Sequence, residues 1–468
     1  MRFFQHSYWR RVWIFQEVAL ARHLLFTTRN GWLPWEDFDL TTCFAQEFIE
    51  RLREGRVQKP IWLDRHAWEQ MAWAFRDLQT FEQIRRARRK EHLHTNTGDM
   101  PETFGGWEIS LIAGQRLVAT DHKDYVYGLL GLSKLPIIPE YSVTKTVWDV
   151  YREYAEKWLE HYRQIPRSSS GFSPLAFLSM AGIGFSSSKA DESSLSDYSS
   201  WAPNFPQLGK YTKTTKPGGL ADSNITIFDD TTYAYVKNQS LFVSGFRIGL
   251  VTSTPVFGEL GDAYYLPIVN YIADFLRRRN KYISGITPLQ AFVQLIRPHD
   301  WSTRIDRTAI LFSLAFLKWA HRARPLIPLE VEISPNWFEN WFLHFFWEGA
   351  DLDLEALGLK GTLHNIFQED PDGLLSNFKE TLNGCFNDFQ GSWRFFEIND
   401  AYLGIIPASV RPGDCVYNLD GCGTPVVLRP NIDHFVFVGT ATVAGLMHGE
   451  AAELVTLGGL ELEKCEIR

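Results

Sequence analysis

Glu17 has the strongest claim to chemistry of any side chain in the sequence. It follows Trp13 by four residues within the stretch Ser7 to Arg22, a spacing that on a helix places it one turn along on the same side. A carboxylate among aromatics must either find a polar partner or stand at a cleft. The ordinary partner is a neighbouring arginine, here Arg10 or Arg11. Other candidates are weaker. His92 and His94 are two residues apart, so they leave opposite sides of a helix and read as a solvated helix end rather than a metal site. His448 and Glu450 offer an acid and a base, but the glycine between them makes a turn the simpler account. Gly182-Ile183-Gly184 lacks the third glycine of a dinucleotide loop and reads as a bend at a helix end. The sequence holds no H-E-x-x-H, P-loop, G-x-S-x-G or paired C-x-x-C motif. No metal ligands or cofactor-binding residues are assigned.

The element carrying Glu17 reads as an amphipathic helix. Tyr8, Val12, Phe15 and Ala19 recur at helical spacing, Trp9, Trp13 and Leu20 lie beside them, and Ser7 is the N-cap. His23 to Thr28 follows as a strand, and Pro34 to Asp37 opens a helix running towards Arg53. A long amphipathic helix from Asp64 ends in the basic run Arg85 to Lys90. Cations complement a helix C-terminus, so this run predicts a solvated helix end rather than a nucleic-acid patch. Thr120 to Leu132 reads as a helix initiated near Asp121 and stopped by Gly131, with Val126, Leu129 and Leu130 inward. Another helix spans Thr144 to Tyr162.

Serine-rich Ser186 to Ser200 and the Gly/Thr/Lys-rich stretch Gly209 to Gly219 read as flexible insertions bracketing Trp201 to Phe205. Alternation in Tyr233 to Val236 and Ser240 to Val251 predicts a small sheet. Helical patterns dominate from Ala263 to Phe389, including the aromatic segment Pro335 to Glu348. That segment lacks the lysines and arginines of a membrane-surface helix and reads as core. Short strands at Gly413 to Leu419, Thr424 to Pro430 and Phe435 to Gly439 are separated by turn residues, with Gly413, Gly421 and Gly423 at the turns. They predict a small barrel or rolled sheet.

Composition narrows the class. A chain of 468 residues, 45% hydrophobic and 22% charged, is long enough for two or three domains of ordinary globular type. The 34 Phe, 17 Trp and 17 Tyr favour thick cores and partner surfaces. A net charge of -8 gives no general footprint for nucleic acid. Cys43, Cys385, Cys415, Cys422 and Cys465 are scattered and odd in number, which predicts a reducing compartment, the cytoplasm. The apolar runs Ala309 to Leu317 and Phe435 to Met447 fall short of a bilayer span.

Several of these motifs, in this order, resemble the fungal heterokaryon-incompatibility (HET) family. The tryptophan-rich helix at Ser7 to Arg22 is similar to one in the middle of the HET domain. The run Thr120-Asp121 to the closing Tyr127-Gly128-Leu129-Leu130-Gly131-Leu132 resembles the family's second signature, continued by Pro139-Glu140-Tyr141 and Val150-Tyr151. Trp201-Ala202-Pro203 looks like the "SWVPDW" element that follows HET domains. Gly413-Asp414, Pro425 to Pro430 and Gly445 to Ala451 resemble the C-terminal signature, with His448 where the family usually has aspartate. The likeness covers about residues 7–160, with patches at 200–205, 240–251 and 394–451.

The family's opening strand and its "WIDaiCINQ" element have no counterpart, so the resemblance implies a chain that begins partway through its HET domain. It implies an incomplete α/β domain of TIR/flavodoxin-like type over residues 1–165, a Ser/Gly-rich linker over 166–222, a small sheet plus helical region over 223–390, and a β-rich unit over 391–468. The expected function is non-self recognition and programmed cell death in fungi, through protein partners or self-association, with no nucleic acid and no transmembrane segment. HET domains bear a distant likeness to TIR domains, whose enzymatic members place a helix glutamate in an NAD cleft. That likeness implies Glu17 as the catalytic residue and NAD as the substrate, because a carboxylate stabilises an oxocarbenium-like ribose. The cleavage is expected only once the preceding strands and loops are supplied. Without it, the protein is an adaptor.

Overall fold

The computed structural model describes residues 7–28, 31–53, 84, 85, 87–89, 114, 117–163, 174–183, 198–211, 234–255, 270–272, 274, 275, 278, 282, 283, 285, 287–296, 310, 311, 313, 314, 316, 317, 363–369, 393–399, 401–407, 409–447, 450 and 461–468. The chain forms two compact units, Met1–His161 with Asn204–Lys210, and Tyr162–Pro203 with Tyr211–Arg468. His92, His94, Pro335 to Glu348 and His448 lie outside the described residues.

The sequence predicts one helix from Ser7, but the structure breaks it at Arg11. Ser7–Arg10 is a 3-10 turn and α1 is Val12–Leu20. Arg11 is extended and forms a parallel bridge with Val118, so it becomes the N-cap, without a side-chain cap, in place of Ser7. Val12, Phe15 and Ala19 are buried as the pattern predicts, joined by Trp9, Ile14 and Val18, whereas Tyr8 is exposed.

β1 (Leu25–Thr28) and β2 (Gly31–Pro34) form an antiparallel hairpin that runs directly into α2 (Trp35–Arg53). Acidic Glu36 and Asp37 occupy the first turn of α2, where they complement the helix dipole. Trp35, Phe38, Thr42 and Ile49 form its buried face. Phe26 of β1 meets Phe38 at 4.7 Å and Trp9 at 5.4 Å between ring centroids, tying hairpin, helix and 3-10 turn into one aromatic cluster.

Two cations of the basic run at Arg85 to Lys90 depart from the expected solvated helix end, while Arg89 is exposed. Arg85 and Arg88 are buried. Arg85 pairs with Asp39 and donates to Thr42 Oγ1 at 2.9 Å. Arg88 donates to the carbonyls of Val18 (3.1 Å), Ala21 and Arg22 (3.1 Å) and lies over the Trp35 ring at 5.4 Å. The last carbonyls of a helix lack intrahelical partners, and a guanidinium with five donors can take several at once. Arg88 therefore caps the end of α1 from inside the unit, and Arg85 ties its own segment to α2.

Thr120 to Leu132 forms two short helices, α3 (Asp124–Tyr127) and α4 (Leu130–Ser133), in place of the single predicted one. The stop is Lys134, in a left-handed conformation (φ 55°), not Gly131. α5 (Val147–Tyr162) starts with a capping box in which the Asp149 carboxylate accepts the Thr146 N–H at 2.9 Å and Thr146 Oγ1 accepts the Asp149 N–H at 3.1 Å. α6 (Phe205–Tyr211) inserts Phe205, fully buried, among Tyr125, Tyr151 and Tyr154. The unit is α/β, but its strands among the described residues are one antiparallel hairpin, not the parallel sheet that a TIR or flavodoxin likeness implies.

The second unit contains a helical middle, of which α7 (Pro288–Ile296) and α8 (Leu363–Glu369) are described, and a nine-stranded sheet. β3 (Tyr235–Lys237) and β4 (Ser240–Ser253) form a hairpin whose turn residues Asn238 and Gln239 both have positive φ, as a type I′ turn requires. β5 (Trp393–Ile398), β6 (Tyr402–Pro407), β7 (Cys415–Leu419), β8 (Val426–Pro430), β9 (Phe435–Thr440), β10 (Thr442–Val443) and β11 (Leu462–Ile467) complete the sheet. Its order is β10-β6-β5-β4-β11-β9-β8-β7, and β7 returns to pair with β4. The sheet is therefore rolled, as predicted, and the 240–253 strand belongs to the same sheet as the C-terminal ones. Gly413 and Gly421 have the positive φ expected of turn residues; Gly423 is not among the positive-φ glycines.

Replacing Arg88 by methionine keeps an apolar stem over Trp35 and removes every donor to the end of α1. The expected cost is about 1–3 kcal/mol, with Arg88→Lys intermediate, read from urea unfolding of the full chain. Equal stability of all three proteins would contradict the capping role.

Candidate functional site

The first constellation surrounds α1. Glu17 points away from the buried face and is exposed, and among the described residues no hydrogen bond or ion pair reaches its carboxylate, from Arg10, Arg11 or elsewhere. Its neighbour Gln16 does reach inward, accepting the Gly131 N–H at 2.6 Å. A Cβ at Gly131 would lie 2.8 Å from Gln16 Oε1 and Leu20, and one at Gly128 would lie 2.9 Å from Val12. The glycines of the Tyr127 to Leu132 signature thus let α3 and α4 lie directly against the tryptophan-rich helix.

The polar residues of that signature are engaged in building a loop. Asp121 accepts the Lys123 N–H at 2.9 Å. Lys123 is buried and donates from Nζ to the Ser142 carbonyl at 2.9 Å. Tyr127 donates to the Glu140 carbonyl at 3.2 Å, and Tyr141 donates to the Asp124 carboxylate at 2.6 Å. Partial desolvation of its hydroxyl together with that carboxylate pushes the Tyr141 phenol above its usual range. Pro139-Glu140-Tyr141 is thereby fastened to the residues that precede it in the motif, which leaves Glu17 as the open carboxylate beside this framework.

The second constellation lies in the rolled sheet. Asp414 and Arg429, from the Gly413-Asp414 and Pro425 to Pro430 signatures, form a two-pronged ion pair at 2.9 and 3.0 Å with the carboxylate buried. The same carboxylate accepts the Arg411 N–H at 2.8 Å, and Arg429 also donates to the Ser409 carbonyl at 2.7 Å. Glu397 on β5 is equally buried and accepts from Tyr271 at 2.9 Å and Arg278 at 2.9 Å, fixing the helical middle to the sheet. Tyr417 donates to Glu463 at 2.9 Å. Near them, burial raises the Cys465 thiol to about 12, a state unsuited to nucleophilic attack. Glu397 carried no signal in the sequence, and the basic run holding Arg85 and Arg88 did not show that these two turn inward.

The Trp201 element belongs to this sheet. β11 meets β9 only at Ile467 and Phe435 among the described residues, leaving a short seam. The Ser200 hydroxyl bridges that seam, accepting the Phe437 N–H at 2.8 Å and donating to the main-chain oxygen of Arg468. Trp201, fully buried, donates from Nε1 to the Gln239 carbonyl at 3.0 Å. Gly182, which follows a 3-10 helix at Ala176–Met180, has φ +120°, and a Cβ there would fall 2.5 Å from the Val438 carbonyl. The flanking backbone therefore lies directly on β9.

Among the described residues no group of three His, Cys, Asp or Glu could hold a metal ion, and no helix is long and apolar enough to cross a membrane. The described cysteines, Cys43, Cys415, Cys422 and Cys465, are free thiols.

The second unit contains a rolled, mainly antiparallel sheet held by a buried Asp–Arg pair. Residues 378–456 match the family model described as the Het-6 beta-barrel domain. No curated protein and no solved structure matches the chain. The match spans β5 to β10, whereas β4 and β11, which complete the roll, lie outside it. The C-terminal domain thus resembles the Het-6 barrel, consistent with a heterokaryon-incompatibility family member.

Asp414→Asn leaves the Arg429 guanidinium without its counter-charge in a mostly buried setting, at an expected cost of about 3 kcal/mol, and Asp414→Asn with Arg429→Met recovers part of it. A double-mutant cycle in urea measures the coupling, and additive effects would refute the lock. Ser200→Ala leaves the buried Phe437 N–H at the seam without its acceptor. It should destabilise the sheet by about 1–3 kcal/mol and speed amide exchange at Phe437 ahead of β4, a difference that hydrogen-exchange mass spectrometry reads directly.

Proposed function

We propose that the protein is a heterokaryon-incompatibility family member acting in fungal non-self recognition and programmed cell death, as a protein-binding component rather than an NAD-cleaving enzyme. The observation carrying the family assignment is the match of residues 378–456 to the Het-6 barrel model. The exposure of Glu17 favours binding over catalysis. Stabilising an oxocarbenium-like ribose requires a carboxylate in a water-excluded site beside a held nucleotide, and the polar motif residues Lys123, Tyr127 and Tyr141 are occupied in ordering the Pro139 to Ser142 loop.

The test is expression of the full chain and its Glu17→Gln variant in a fungal host, with cell death and cellular NAD followed together. The expected outcome is a death response that Glu17→Gln leaves within about twofold, with NAD unchanged. NAD depletion that the variant abolishes would make the protein an enzyme. Absence of any response to the wild-type chain would refute the incompatibility role.

A further inference from the structure

α2 carries two apolar faces, and only one of them meets the core. Trp35, Phe38, Thr42 and Ile49 are buried. At 100° per residue, Leu40 and Phe44 fall on the opposite side, one turn apart, and they are 72% and 74% exposed. Scattered exposed hydrophobics are normal, but two large ones stacked at i and i+4, directly opposite the core, form a row. The hairpin leading into α2 adds Trp32, 69% exposed.

Among the described residues the charge around this row is mainly acidic. Glu36 and Glu47 share the outward face with Leu40 and Phe44, and Asp37 flanks it; all three are exposed. No lysine or arginine occurs between Gly31 and Glu50, and the nearby Arg85 and Arg88 are turned inward on Asp39 and the end of α1. Arg51 lies at the far end of the helix, paired with Glu47 at 2.6 Å.

We infer that the outward face of α2 docks an amphipathic helix of a partner protein, whose apolar row covers Leu40 and Phe44 and whose flanking lysines or arginines face Glu36 and Asp37. Two apolar side chains one turn apart match the i, i+3/i+4 anchors of a facing helix. A like-charged acidic rim selects a basic partner and rejects an acidic one. A second copy is disfavoured on the same ground, since a symmetric contact would set acidic rim against acidic rim. This deepens the binding role proposed above by naming its surface and partner chemistry. It stands on direct binding, so the incompatibility phenotype can fail without it, and it without the phenotype.

The experiment uses the full chain and two fluorescent synthetic helical peptides that share one leucine/phenylalanine row, one flanked by lysine and arginine, the other by glutamate. Fluorescence anisotropy should show saturable binding of the basic-flanked peptide and about tenfold weaker binding of the acidic one. Phe44→Ser and Leu40→Ser should each reduce binding about tenfold, and Glu36→Gln with Asp37→Asn should reduce both the affinity and its salt dependence. All four positions are exposed, so the variants should melt with the wild type. Equal binding of the two peptides, binding unaffected by Phe44→Ser, or no binding of either peptide would overturn the inference. So would a dimer in sedimentation that Phe44→Ser dissolves, which would make a second copy the occupant.

Discussion

A strand paired along both edges over nearly its whole length has no freedom of register, and β4 is that strand. Phe246 pairs with Asn418 of β7 on one edge and Leu462 of β11 on the other, and Phe242 is held likewise between β3 and β11. Further on, Val251 pairs with Ile398 of β5 while its backbone exchanges hydrogen bonds with Gly413 and Asp414. A fourteen-residue strand with this many neighbours cannot stay straight. It bends at register shifts between Arg247 and Gly249 and between Val251 and Ser253, which is how bulges curl a sheet. The roll, and the place of every C-terminal strand in it, follows from that bend.

Rolling a sheet brings its ends together, and the join is its weak point. β9 and β11 are parallel and meet only briefly, so backbone groups there would face one another without partners, at the usual cost of a buried orphan. Ser200 meets that need with one hydroxyl that accepts on one side and donates on the other. The Asp414–Arg429 pair works on the neighbouring strands in the same sense, trading the desolvation of two charges for a fixed register between β7 and β8. These residues stand in motifs, yet each is accounted for by what it holds in place.

The sequence revealed elements better than partnerships. The aromatic periodicity of α1, the alternation of Ser240 to Val251 and the short C-terminal strands could be predicted because each depends on residues close in the chain. The break at Arg11 could not, because it depends on Val118, more than a hundred residues away. Nor could the inward turn of Arg85 and Arg88, since a basic run at a helix end looks the same whether its cations meet water or the carbonyls of another helix. β11 and the service of β4 to both halves of the sheet were hidden for the same reason: strand pairing is a long-range choice that local alternation does not encode. Glu17 was visible as a residue. Its exposure was not, because the helical pattern places Trp13 and Glu17 on one side without saying which side the core takes.

The motifs that resemble HET signatures divide by task. In the first unit, Gly128 and Gly131 let two short helices approach α1, and Lys123, Tyr127 and Tyr141 fasten the loop beside them. In the second, Ser200, Trp201, Asp414 and Arg429 secure the roll. A motif whose polar atoms are consumed by its own framework has little left to offer a substrate, whereas a framework this tightly specified holds its outer surface in fixed shape. Preorganised surfaces bind because less ordering has to occur on contact. Among the exposed side chains, Glu17 on α1 and Leu40 and Phe44 on α2 are therefore where function is to be sought, and two of the three are apolar.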